Sequence, residues 1–328
     1  MTEYDRIRII RSAVGSLPSW GLITELQNSG FDVIGIDSSP LSFGLYLLKT
    51  GYVVPKGAEP HFMRELIKII DRESPQAILS GPEEELLVLS KNRDLIEERG
   101  VTLLCPNHES VKICANKERM HEYFVKEKIP TPKVFDNEDS VEFPCIIKPV
   151  FGRGSSNVFV ATDVEDLTYC KKKVQTPLIQ EFIPGNEFTV DVLADERGRP
   201  LSIVPRLRLS TESGVSVKAK TIYDAEVIKF SKKIAKGLKL FGPSCIQCIK
   251  NEEGIKFIEV NPRFGGGAIL SIKADPYIIP NLTKIIRGEL TTPNKTFVEG
   301  LVMMRYHSEV FISDHELKKE PDYECCSL

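Results

Sequence analysis

An open α/β unit with a largely parallel sheet, followed by an α+β region, is the architecture this sequence predicts, and three observations predict it. Short apolar strand runs alternate with helical stretches up to about Pro106. A proline-rich break, Ile129-Pro130-Thr131-Pro132, then interrupts the pattern. Beyond it, strand runs separated by turn signals predominate. At 328 residues and 41% hydrophobic, the chain is long enough for two or three packed units with substantial cores.

In the first region 7–10, 31–36, 76–80 and 101–105 are strand candidates, and 20–29, 60–72 and 83–98 between them read as helices. The stretch 107–128 is helical in pattern and ends at the proline break, where proline removes backbone donors and biases its neighbours to extended conformations. Two strand runs follow, 145–150 and 157–161, joined by the loop Phe151-Gly152-Arg153-Gly154-Ser155-Ser156. A helix over 164–173 and a strand over 178–182 complete a small α+β unit. Further strands are expected at 187–194, 201–209, 244–249 and 256–260. Asp224 is placed to cap a helix in which Val227, Phe230, Ile234, Ala235 and Leu238 recur at helical spacing. The expected domains are 1–108, 109–180 and 181–328.

The 43 basic and 46 acidic residues nearly balance, leaving a formal charge of -3, so neither nucleic acid nor an acidic membrane is the expected partner. Small molecules are. No apolar run reaches bilayer-spanning length and the start has no signal-like core, so a cytoplasmic location is expected. Eight cysteines are scattered without a disulfide framework. Cys245 and Cys248 have the two-residue spacing of metal and redox motifs, but they also read as residues on opposite faces of one strand. Cys325 and Cys326 are expected to be frayed and exposed.

Three segments can carry chemistry. The strand ending Ile147-Lys148-Pro149 and its glycine loop suit a polyphosphate, since small residues let backbone N–H groups close on anionic oxygens while Lys148 neutralises charge. Because a strand rather than a helix follows the loop, it reads as a hairpin lid, not a Walker loop; an ordinary turn is the alternative. In Glu181-Phe182-Ile183-Pro184-Gly185-Asn186-Glu187 a hinge can offer backbone groups to adenine while Glu187 accepts bonds from ribose hydroxyls. A solvated turn with two surface acids fits the same residues. In Ile258-Glu259-Val260-Asn261-Pro262-Arg263, period-two alternation sends Glu259 and Asn261 to one face and their apolar neighbours to the other. If the preceding strand pairs symmetrically about Glu253, Gln247 falls opposite Glu259 and Cys245 opposite Asn261. Three hard oxygen ligands with one formal charge suit Mg²⁺ beside substrate phosphates, although an exposed polar hairpin is the bland alternative. Arg206 and Arg208 can present a guanidinium fork to a carboxylate or phosphate, with Lys218 and Lys220 repeating the spacing, or they can be solvated strand faces. His121 and His307 are isolated and receive no metal role.

In this order, Asn116-Lys117, Ile146-Ile147-Lys148-Pro149, the glycine loop, Glu181-Phe182-Ile183 with Glu187, Gln247 and Glu259-Val260-Asn261-Pro262-Arg263 resemble the ATP-grasp superfamily, in its carbamoyl-phosphate-synthase-like branch. The resemblance covers nearly the whole chain and implies a Rossmann-like pre-ATP-grasp domain followed by a two-subdomain ATP-grasp fold. It implies that Lys117, Lys148 and the loop residues Gly152, Arg153, Gly154, Ser155 and Ser156 contact ATP phosphates, and that Glu181, Phe182 and Ile183 line the adenine hinge. Glu187 would hold the ribose; Gln247, Glu259 and Asn261 would coordinate Mg²⁺ or Mn²⁺; Arg263 would touch the γ-phosphate and the intermediate. Arg206, Arg208 and Lys218 are candidate substrate contacts. The implied activity is an ADP-forming ligase that joins a carboxylate to an amine, or to a thiol, through an acyl phosphate, with a homodimer among the expected assemblies. As the chain is shorter than a whole carbamoyl phosphate synthase large subunit, a single ligation is expected. Two departures stand out: Ser12-Ala13-Val14-Gly15-Ser16 lacks the fuller glycine fingerprint, and 213–218 matches the family's substrate-side loop loosely. The competing readings are an NAD-dependent oxidoreductase, prompted by Asp37 after the second strand, and a nucleotide-binding partner subunit without turnover.

Overall fold

The structure is a computed structural model and describes residues 6–318 apart from 153 and 155. Arg153 and Ser155 of the glycine loop, and Cys325 and Cys326, lie outside the described residues. The chain forms two compact units, of which the first runs to Cys105 and also takes Leu282–Leu290 and the stretch from Tyr306. The second holds Pro106–Asn281 and Thr291–Arg305.

The first unit carries β1 (Ile7–Ser12), α1 (Ser19–Asn28), β2 (Phe31–Asp37), α2 (Gly44–Leu47), β3 (Thr50–Val53), α3 (Phe62–Glu73), β4 (Ala77–Leu79), α4 (Glu83–Lys91), α5 (Arg93–Glu97) and β5 (Thr102–Leu103). Its sheet is parallel, in the order β3-β2-β1-β4-β5. Consecutive residues such as Ile9, Ile10, Val33 and Ile34 are all buried, as a sheet covered on both faces requires. The α/β class read from the sequence is the one observed. Two details differ. The edge strand β3 is short and contains Gly51, so it gives no apolar run to read. The helix read over 83–98 breaks at Asn92, which leaves helical geometry (φ -105°, ψ 27°) while its side chain donates to the Val88 carbonyl at 2.8 Å.

The second unit begins with α6 (His108–Ala115) and α7 (Lys117–Lys126), followed by β6 (Cys145–Pro149), β7 (Phe159–Ala161), α8 (Val164–Lys173) and β8 (Pro177–Glu181). The helix read over 107–128 is therefore two helices. Asn116 between them is extended, and its side chain accepts the Arg119 N–H at 2.9 Å, capping α7 and placing Lys117 at its first position. The three strands form an antiparallel sheet in the order β7-β6-β8. Against it α8 buries Leu167 and Cys170, packed with Cys145, Ile147, Ala161 and Ile179.

A second antiparallel sheet holds β9 (Asn186–Ala194), β10 (Pro200–Glu212), β11 (Val215–Thr221), β12 (Gly242–Asn251), β13 (Gly254–Asn261) and β14 (Val302–Met304), in the order β13-β12-β9-β10-β11-β14. On one face α7 and α9 (Ala225–Gly237) bury Phe124, Val227 and Ile234 against Val190, Ile246 and Phe257. Asp224 caps α9 as expected, accepting the N–H groups of Glu226 (3.1 Å) and Val227 (3.0 Å). After β13 come α10 (Ala268–Ala274) and α11 (Ile278–Ile286). The strand β11 pairs with β10 through a two-residue turn, Ser213-Gly214, with both φ values positive (48° and 75°), the mirror-type turn that hairpin twist favours. Cys245 and Cys248 are buried and free on β12, so they are packing residues there.

Candidate functional site

Within the second unit, residues of both antiparallel sheets line a cleft of about 290 Å³. Lys117, Lys148, Gly152, Gly154 and Ser156 line it together with Glu181, Phe182, Ile183, Glu187, Arg208, Gln247 and Glu259. Residues from six separated segments thus meet in one place. Apolar walls come from Ile146, Ile249 and Ile258, which sequence reasoning did not single out. Two of them carry a readable signal: Ile146 lies two residues from Lys148 on β6, and Ile249 two from Gln247 on β12, so period two puts each pair on one face.

At the cationic end, Lys117 Nζ donates to the Gly152 carbonyl at 2.7 Å, and the Lys117 N–H donates to the Val150 carbonyl at 3.1 Å. The start of α7 is thereby tied to the glycine loop. Lys148 is 6% exposed, and burial pulls its ammonium down to about 8, with Glu259 opposing the shift and Lys117 reinforcing it. A buried ammonium without a full counter-charge favours an anion beside it.

Glu259 stands opposite Gln247 and Asn261 opposite Cys245 in the β12–β13 ladder. The route to that register differs from a simple symmetric hairpin. The turn closes with Asn251 opposite Gly254, and a bulge at Ile258 then shifts the pairing by one residue before Gln247. The bulge also corrects the expected face of Ile258: it lines the cleft beside Glu259, while Phe257 and Val260 enter the core. Asn261 Nδ2 donates to Glu259 Oε1 at 2.9 Å, and Arg263 donates to the Phe264 carbonyl at 3.0 Å and reaches Asn261 Oδ1 at 3.4 Å. One carboxylate and two amides are gathered here, whereas no cluster of three or more His, Cys, Asp or Glu suited to a metal occurs among the described residues.

At the hinge, the Glu181 carboxylate accepts the Lys133 N–H at 3.0 Å, so its side chain is committed and Phe182 and Ile183 form the wall. Burial raises the Glu187 pKa, Arg208 opposes that shift by ion-pairing with the carboxylate, and Glu259 adds to it. The expected arginine fork does not form. Arg206 is fully buried, with Nε bonded to Asp191 at 2.6 Å, and Arg208 serves Glu187; Lys218 is exposed on β11, and neither Arg206 nor Lys218 lines the cleft. Only one partner of the fork reaches the cleft because β10 buries residue 206 under the glycine run, where a Cβ on Gly267 would lie 2.9 Å from the Arg206 guanidinium carbon.

In the first unit, Asp37 accepts the N–H groups of Gly15 (2.8 Å) and Ser39 (3.1 Å), so the acid that prompted a dinucleotide reading is occupied with its own loops. Glu85 is a buried carboxyl that sequence reasoning had no reason to single out. Buried beside Ser80, which donates to it at 2.9 Å, it has its pKa raised by burial to about 7, with Ser12, Ser80 and Arg11 opposing the rise.

Residues 114–267 match the family described as ATP-grasp domain, and residues 21–104 match the PylC-like, N-terminal domain. The chain contains an ATP-grasp domain. Among curated proteins, the chain is similar to the carbamoyl phosphate synthase large chain of Clostridium perfringens (26% identical over 301 residues, 81% of this chain and 27% of that one). It is similar to the large chain from Methanosarcina barkeri as well (26% identical over 289 residues, 79% and 26%). It spans about a quarter of the length of these relatives. Its fold is shared with proteins of known structure. Biotin carboxylase from Campylobacter jejuni superposes with a TM-score of 0.70 at 15% identity, covering 90% of this chain and 74% of that one. An L-amino acid ligase from Bacillus licheniformis gives 0.68 at 17% identity, covering 86% and 74%.

Proposed function

We propose that this chain is an ADP-forming ligase that activates a small-molecule carboxylate as an acyl phosphate and transfers it to an amine, or to a thiol. The observation that carries the reading is the meeting of Gln247 and Glu259, on neighbouring strands, with Lys148 and the glycine loop in one cleft. The apolar walls around Ile183 and Ile249 suit an adenine ring, and Glu187 suits ribose hydroxyls.

The donor set fits a divalent cation. Glu259 offers a carboxylate, Gln247 faces it across the ladder, and Asn261, whose nitrogen is bonded to Glu259, offers an amide oxygen whose second lone pair is left beside the long 3.4 Å contact from Arg263. Bound by these three residues, Mg²⁺ or Mn²⁺ would supply positive charge to the phosphate oxygens. Lys117, Lys148 and the N–H groups of Gly152, Gly154 and Ser156, joined by Arg153 and Ser155 of the same loop, hold the triphosphate. A carboxylate oxygen attacks the γ-phosphorus as the bond to the ADP oxygen breaks, and Arg263 and Lys148 neutralise charge on the moving phosphoryl group. The amine nitrogen then attacks the acyl carbon, the C–O bond breaks, phosphate leaves, and the amine proton passes to solvent. Keeping water from the acyl phosphate is the task of the glycine loop.

In this reading 1–108 is the pre-ATP-grasp domain, 109–180 the lid-bearing subdomain and 181–328 the metal-bearing subdomain. The buried cysteines among the described residues, none of them in a disulfide, suit a reducing cytoplasm, and sedimentation would test for a homodimer. The functional test is incubation with ATP, Mg²⁺, hydroxylamine and pooled carboxylic acids. A trapped hydroxamate with stoichiometric ADP is the expected result. ATP binding without ADP release for any acid would instead make the chain a nucleotide-binding partner subunit.

A further inference from the structure

We propose that Arg208 is a positioning residue that couples ribose recognition to the placement of the glycine loop over the phosphates, an inference that rests on the nucleotide reading of the cleft. Arg208 lies on β10 with its side chain 6% exposed. One end of its guanidinium is ion-paired with the Glu187 carboxylate, and Nη2 donates to the Gly214 carbonyl at 2.8 Å. Gly214 is the second residue of the β10–β11 turn, and its backbone packs directly on the glycine loop: a Cβ there would lie 2.9 Å from Gly154 Cα. Contact therefore runs in series from Glu187 through Arg208 and Gly214 to Gly154, and all four residues line the cleft.

The guanidinium is a planar fork, so its two ends cannot move independently; a lysine can satisfy one end at a time. A nucleotide that fixes Glu187 through its ribose hydroxyls also fixes the turn on which Gly154 rests. A nucleotide whose phosphates draw the loop down tightens the same chain from the other end. Two ligand parts that bias one shared element bind cooperatively, and the coupling is reciprocal.

The test compares dissociation constants, by calorimetry with Mg²⁺ present, for ATP and AMP and for their 2′,3′-dideoxy forms. In the wild-type protein, removing both hydroxyls should weaken ATP about tenfold more than it weakens AMP, within the usual range of coupling between sites. In Arg208→Met the two losses should agree within about twofold. Since that variant leaves the half-buried Glu187 without its counter-ion, Arg208→Lys is measured as well; it keeps the charge, loses the fork, and should also equalise the losses. A wild-type-sized difference in either variant, or equal losses in the wild type, overturns the proposal. A wild-type protein that binds none of the four nucleotides removes the nucleotide reading itself.

Discussion

Lys148 is almost wholly withdrawn from water beside Glu259 and Lys117, and at pH 8 it is close to half-protonated. Triphosphate favours the charged lysine and so raises its pKa on binding. At pH 8 ATP binding should therefore take up about half a proton, measured from the dependence of the binding enthalpy on buffer ionisation. Lys148→Met should bind more weakly and take up none; unchanged uptake would place the proton elsewhere. Glu259 is the only carboxylate of the proposed metal set, so Glu259→Gln should lower ADP release at least about 100-fold while the melting temperature moves by no more than about 3 °C. Wild-type turnover in that variant would refute the ligand assignment. What was legible in the sequence is the pairing of Gln247 with Glu259 and of Cys245 with Asn261 on neighbouring strands. What was not legible is which cations already have partners. Arg206 and Arg208 look alike in sequence, yet one is locked to Asp191 in the interior and the other serves Glu187, a distinction made by long-range strand pairing.

Individual elements read well where period and cap agree, as in α8 and in α9 behind Asp224. Reading failed where one polar residue redirects the backbone. At Asn116 the side chain offers α7 a cap, and that competes with continuing α6. Asn116→Ala should lower stability by about 1 kcal/mol in chemical denaturation. It should also weaken nucleotide binding, because Lys117 opens the helix that Asn116 caps; full stability with full affinity would separate the cap from the site. The bulge at Ile258 was invisible for a different reason. Local sequence marks a turn, but only the packing of Phe257 and Val260 against α7 and α9 decides that Glu259, and not a neighbour, meets Gln247.

Over the molecule as a whole, the two fold classes were legible because a fully buried parallel sheet and antiparallel hairpins leave different apolar patterns. β3, β11 and the C-terminal helices were not, being short or polar enough that tertiary packing decides them. Glu85 links the first unit's stability to pH. Its folded pKa of about 7 lies above its ordinary 4.5, so between those values the folded state holds the extra proton and stability falls as pH rises. The loss should amount to about 3 kcal/mol across that window, seen as a falling urea midpoint that Glu85→Gln flattens. A midpoint independent of Glu85 would mean the carboxyl is ionised as folded. The chemistry itself is tested most directly by isotope transfer. With the acid identified by hydroxamate trapping supplied as its ¹⁸O-carboxylate, phosphate released in the full reaction should carry one carboxylate oxygen. Unlabelled phosphate would contradict the acyl phosphate and the activation built on Lys148, Glu259 and Arg263.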